Sequence, residues 1–145
     1  MNADPHDIIW TYLGAQAALT AVVPAERIMS PRLRKKTILP AIGFFIRGGV
    51  ANPHIEEMVE PSVQFDCWAD SADDANGAHD AYEVYLALFD VLQGKQNQNV
   101  TVGGNTYQIK FAVEEVQGQV LQDIDIPDRF RVLTFFRMMI RPVTV

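Results

Sequence analysis

The run from Arg129 to Arg141 leaves this chain the fewest alternatives. Its even positions Phe130, Val132, Phe136, Met138 and Ile140 are apolar, whereas its odd positions include Arg129, Arg131, Arg137 and Arg141. Side chains alternate across a strand, so this period of two predicts one greasy face and one basic face, the latter interrupted by Leu133, Phe135 and Met139. Four unpaired guanidinium groups do not share a core. The arginine face is therefore expected to meet water, acidic neighbours or DNA, and the greasy face needs a cover.

A segment of helical period supplies that cover. Ala75, Ala78, Tyr82, Tyr85, Leu86, Phe89 and Leu92 follow one another at steps of three and four, with Asp73, Asn76, Asp80, Glu83 and Asp90 on the other side. Ser71 and Asp74 have the spacing of a capping box, and Gly94 is a natural stop. The helix is expected to lay an aromatic face on a sheet and to turn an acidic face, Asp73, Asp80, Glu83 and Asp90, toward water or a partner. An earlier helix is announced by Asp4-Pro5, with Ile9, Tyr12, Leu13, Gln16, Leu19 and Val23 on one stripe and Pro24 as its end.

The remaining patterns are extended. Ile42, Phe44 and Ile46 alternate within a run from Ile38 to Arg47, and Val59, Val63, Phe65 and Cys67 alternate within a second, the two expected to pair as an antiparallel hairpin. Gly48-Gly49 and Asn52-Pro53 read as the link between them. Gly103-Gly104 reads as a tight turn between Val100–Val102 and a strand over Tyr107–Val116. The order helix, hairpin, helix, hairpin, strand predicts an α+β fold, a mostly antiparallel sheet of about four to six strands with two main helices packed on one face.

With 145 residues, 48% of them hydrophobic, the chain has material for one core, and a single domain over 1–145 is expected. The net charge of −6 disfavours a protein that coats nucleic acid. Four of the twelve basic residues, Arg32, Arg34, Lys35 and Lys36, crowd one aperiodic stretch, read as a loop that binds an acidic partner surface or is simply solvated. One cysteine excludes an internal disulfide and suits a reducing compartment, and no apolar run is long enough to span a bilayer, so no membrane role is expected.

Chemistry-bearing patterns are weak. Asp66 with Gln108 and Lys110 faintly suggests a metal-dependent nuclease, but one ligand position holds Gln, and Asp66 could equally pair with a neighbouring basic side chain. His54, Glu56 and Glu57 lie beside Asn-Pro without a second histidine. Cys67 falls on an apolar strand face and reads as a small buried hydrophobe, and His79 as a solvated or partly packed side chain. Neither Gly-Gly pair has the Lys and following helix of a phosphate-binding loop. No catalytic residue, metal site or cofactor is expected, and the pattern fits an assembly protein.

The stretch VQFDCWADSADDANGAHDAYEVYLALFDVL, a strand ending in an aromatic and a small residue followed by a helix with alanines near its start, resembles the tail-terminator, or tail-completion, proteins of long-tailed bacteriophages and gene-transfer particles. The Leu39-Pro40 strand opening and the closing Phe130–Pro142 strand fit the same pattern. The resemblance implies a structural virion protein without catalytic residues, assembled in the host cytoplasm as a homohexameric ring on the head-proximal end of the tail tube. Such a ring stops polymerisation and has the tail tube protein and the head-tail connector or head-closure protein as partners. Genomic DNA passes through it without sequence-specific binding. A head-closure or neck adaptor is the alternative of the same class, and a small nuclease that of another. Whether the arginine face pairs with the neighbouring subunit's acidic helix face or lines the DNA passage stays open, the first being preferred.

Overall fold

The computed structural model describes residues 3–30, 38–51, 58–70, 77–126 and 129–143. The basic stretch Arg32, Arg34, Lys35 and Lys36, the capping pair Ser71 and Asp74, Asp73, and the His54, Glu56, Glu57 group lie outside these residues.

Asp4 caps helix α1 (Pro5–Gly14), its carboxylate accepting the His6 N–H at 2.9 Å. The expected long helix is broken. Gly14 has the low helix propensity of its type, Gln16 turns extended, and a four-residue helix α2 (Ala17–Thr20) follows. The apolar stripe survives the break, because Ile9, Tyr12, Leu13, Leu19 and Val23 are all buried.

Six strands form one sheet in the order β1-β2-β3-β6-β5-β4. These are β1 (Ile28–Met29), β2 (Ala41–Ala51), β3 (Val59–Asp70), β4 (Gln96–Val102), β5 (Asn105–Gln122) and β6 (Arg129–Pro142). Only the two-residue β1 runs parallel to its neighbour. The β2/β3 hairpin has the expected inward set, with Ile42 opposite Cys67, Phe44 opposite Phe65 and Ile46 opposite Val63. Gly48-Gly49 is not its turn. The pair lies inside β2 at a register shift, and Gly49 takes a positive φ with the Glu60 carbonyl against it, where a Cβ would stand 2.2 Å away. Gly103-Gly104 does make the tight turn between β4 and β5, both at positive φ.

Helix α3 (Gly77–Leu92) packs on β3, β6 and β5, burying Ala81, Val84, Tyr85, Leu88, Val91 and Leu92. Tyr12 of α1 donates its hydroxyl to the Val91 carbonyl, tying the two helices together. The sheet curls enough for its edge strands β1 and β4 both to touch α1. Phe44 stacks on Phe65, which meets Phe136 edge to face, across β2, β3 and β6 at the centre of one continuous core.

Both final strands outrun β4. Ala112 is the last β5 residue bonded through the backbone to the segment before β4, at Gly94 and Lys95, so residues 113–122 form an arm of β5 that is paired on one side only, with β6, which is itself backed by β3. The sequence signal for β5 ends near Val116. The structure carries it to Gln122 because β6 supplies a hydrogen-bonding template for residues with little β preference of their own.

Candidate functional site

The face of the sheet turned away from the helices carries the arginines. Along β6, Val132, Thr134, Phe136, Met138 and Ile140 are buried, and the odd positions lie on the opposite side. Arg129, Arg131, Arg137 and Arg141 thus share one sheet face, and Phe45, Trp68 and Phe111 belong to the same face by register.

These guanidinium groups are not all free. Arg131 donates to Asp66 Oδ1 at 3.1 Å and its Cζ lies 5.5 Å from the Trp68 ring centroid. Arg137 stands 5.6 Å over Phe111, and Arg47 from β2 stands 4.1 Å over Phe135. Arg141 donates to Gln108 Oε1 at 3.3 Å. Only Arg129 keeps a buried Nε without a hydrogen-bond partner among the described residues. Alternate strand positions place aromatic rings beside Arg131 and Arg137, and each ring's negative face accepts a guanidinium. Asp66 is the basic-side-chain partner that the sequence allowed for. Burial pushes its carboxyl above the usual value, while the Arg131 charge pulls it back.

The acidic helix face lies on the other side of the molecule. Asp80, Glu83 and Asp90 project from α3, which covers the opposite surface of the sheet, so they cannot reach the arginine face of their own subunit. His79 Nε2 lies 3.0 Å from Glu83 Oε1, an i, i+4 pair on the exposed side of α3. With Asp80 these groups converge within 4.8 Å on an exposed helix turn, an arrangement common on surfaces without metal.

The nuclease constellation is not assembled. Asp66 faces Leu133 and Gln108 faces Arg141, eight positions apart on β6, about 26 Å of extended chain. Cys67 is buried, and desolvation raises its thiol far above the ordinary value, so it is no nucleophile at neutral pH.

A partly buried polar cluster escaped the sequence reading. Glu114 Oε2 accepts from Tyr85 Oη at 2.6 Å and from Thr134 Oγ1 at 2.7 Å, and Tyr85 Oη in turn accepts the Gly118 N–H at 3.3 Å. Gln93 Oε1 takes the Glu114 N–H at 2.7 Å. The cluster clamps the root of the arm to α3. Its one sequence signal was Thr134, a polar residue in the apolar register of β6.

No family model matches the chain, and no curated protein does. Among solved structures it is similar to a chain in the virion of a native gene transfer agent particle, with a TM-score of 0.57 and 15% identity over 94% of each chain. That likeness shows a shared fold.

Proposed function

We propose that the chain is a structural virion protein of a tailed phage or gene-transfer particle, acting as the tail terminator. In this reading a homohexameric ring caps the head-proximal end of the tail tube, ends its polymerisation and receives the head-tail connector or head-closure protein. The observation that carries the reading is the end-to-end likeness of fold to a virion chain, and the strand-helix signature around Trp68 narrows it to a terminator. The register holds Asp66 and Gln108 apart, so the nuclease constellation read from the sequence is not assembled.

Within the ring, the arginine face lines the DNA passage. The guanidinium groups of Arg47, Arg131, Arg137 and Arg141 rest on aromatic rings or on Asp66 and Gln108, which gives a diffuse positive surface over which phosphates slide, whereas free arginines would clamp them. Pairing between Arg129, Arg131, Arg137 and Arg141 and the neighbour's Asp73, Asp80, Glu83 and Asp90 is the second reading. It is favoured by the opposite placement of the two charged faces, which can meet only between subunits. Arg32, Arg34, Lys35 and Lys36 dock an acidic partner surface at the tube or the connector.

Electron microscopy of particles carrying the tagged chain tests the assignment. A ring between tube and connector is the expected result. Attachment to the portal in the absence of tails would make the chain a neck adaptor, and its absence from particles would overturn both readings.

A further inference from the structure

Strand β1 pairs only with Ile42 and Gly43 of β2, and among the described residues no strand lies beside β2 on that side from Phe44 onward. A side chain takes one backbone group on this open stretch: the Ile46 N–H donates to His6 Nε2 at 3.1 Å. The same imidazole lies on Phe44, with ring centroids 6.2 Å apart and planes 28° from parallel. His6 thus fastens the first turn of α1 to β2 and helps to cover a fully buried aromatic ring.

The bond fixes the protonation state of the imidazole. A backbone N–H can only donate, so Nε2 presents a lone pair and the single ring proton sits on Nδ1. Nδ1 faces Asp4 Oδ1 at 2.8 Å. The Asp4 carboxyl is held below its usual value, first by the His6 backbone N–H and then by the His6 ring, so it is ionised from mildly acidic pH upward. A second proton on the ring goes to Nε2, where it points at the Ile46 N–H and breaks that bond. The contact with Asp4 gains from the same proton, because it becomes charge-assisted. Asp4 and His6 both belong to the start of α1, so the helix keeps its cap while losing its tie to β2.

Few other charges bear on this ring. Strands β1 and β4 and helix α2, which pack on α1, hold no titratable side chain. Strand β2 offers only Arg47, whose guanidinium lies over Phe135 on the far face of the sheet. Helix α3 meets α1 through Val91 and Tyr12, six positions beyond His6 and about 9 Å along the helix. Within the first turn of α1 the remaining charge is Asp7. The positive end of the helix dipole opposes a charged His6, and Asp4 favours one.

We propose that His6 is a pH-sensitive latch: neutral, it ties α1 to β2 through Ile46, and protonated, it lets the first turn of α1 lift from the strand edge while Asp4 still caps the helix. Release uncovers Phe44 and frees the Ile46 N–H. The latch is a property of the single subunit and stands apart from the ring proposed above.

Nuclear magnetic resonance tests it on the wild-type chain. Long-range proton–nitrogen spectra of the imidazole at about pH 8 are expected to show the Nδ1–H tautomer of His6, and the Nε2–H tautomer there would overturn the latch. Amide exchange, corrected for its intrinsic pH dependence, is expected to show the Ile46 protection factor falling about tenfold between about pH 8 and about pH 5, the worth of one ordinary hydrogen bond, while Phe65 in the centre of the sheet keeps its protection. A pH-independent Ile46 amide would overturn the latch, and so would an equal fall at Phe65, which would mean a general loosening. His6→Ala is expected to bring Ile46 at about pH 8 down to the wild-type level at about pH 5 and to abolish the pH dependence; a variant that keeps the wild-type dependence would assign it to another group and overturn the proposal.

Discussion

Gly118 sits against the ring of Tyr85, donating its N–H to Tyr85 Oη at 3.3 Å, at a point where a Cβ would stand 2.8 Å from Tyr85 Cζ and 2.7 Å from Val132 Cγ1. The close approach lets the arm lie flat on α3 and lets one hydroxyl serve both a backbone N–H and the Glu114 carboxylate.

Gly118→Ala is therefore expected to destabilise the fold by about 1–3 kcal/mol, because neither the aromatic ring nor the β-branched Val132 can yield without leaving its packing. Chemical denaturation measures this. Gly14→Ala is the control: its Cβ would meet only Ala25 Cβ at 3.9 Å, its φ is not positive, and about 0.5 kcal/mol of stabilisation is expected from the lost freedom of the unfolded chain.

Tyr85→Phe removes a donor from Glu114 and an acceptor from the Gly118 N–H, and a loss of about 1–2 kcal/mol is expected. Thr134→Val removes the other donor. The two substitutions share Glu114, so the double variant is expected to depart from additivity, which a double-mutant cycle reads directly.

Alkaline pH probes the same hydroxyl and that of Tyr12. Burial raises both above their ordinary value of 10.0, and for Tyr85 the bond to Glu114 adds to the effect. The folded state holds these protons after the unfolded chain has released them. Stability is thus expected to be flat with respect to these groups below about pH 10 and to fall above it. Tyr85→Phe is expected to shrink that fall, as denaturation followed by circular dichroism across the range would report.

The legible parts of this fold are those where burial on one side imposed a period. Strands β3 and β6 were visible because Phe65 and Phe136 recur where the core requires them. Helix α3 was visible as an element, but its buried face is rotated from the expected stripe: Tyr85 and Leu92 are buried as expected, Ala81, Val84, Leu88 and Val91 complete the face, and Leu86 is 44% exposed. The arm was only partly visible. Val116 to Gln122 have little to bury and take their conformation from the neighbouring strand, so no pattern marks their end. Gly48-Gly49 misled because a bulge and a turn both call for positive φ, and only the partner strand distinguishes them. The rings beside the arginines were present in the pattern as Phe135, Trp68 and Phe111, but cross-strand register decides which cation meets which ring.

Asp66 and Arg131 illustrate an asymmetric pair. The Asp66 side chain is only 13% exposed, and desolvation raises its pKa even with the guanidinium at 3.1 Å. Arg131→Met removes the charge that opposes this rise and strands a carboxylate, at an expected cost of about 1–3 kcal/mol near neutral pH. A folded-state pKa raised further means that the loss sets in as pH climbs through it and fades as Asp66 becomes protonated. Denaturation at about pH 4 and about pH 7 is expected to show the larger penalty at the higher pH; an equal penalty at both would assign the loss to packing on Trp68.

Arg137 and Arg141 separate the two uses of the arginine face better than Arg131, since neither has a carboxylate partner among the described residues and both are exposed. If this face lines the passage, Arg137→Gln/Arg141→Gln leaves ring assembly intact and weakens the hold on DNA. Each phosphate contact contributes close to one unit to the salt slope, so the salt dependence of DNA retention in filled particles is expected to flatten. If the face instead pairs with the neighbour's acidic helix, the same variant lowers the yield of rings, and Glu83→Gln/Asp90→Gln on α3 lowers it equally. Intact rings with altered retention are the expected outcome, because three guanidinium groups on this face already rest on rings of their own subunit and gain less from a distant carboxylate than from the polyanion passing over them.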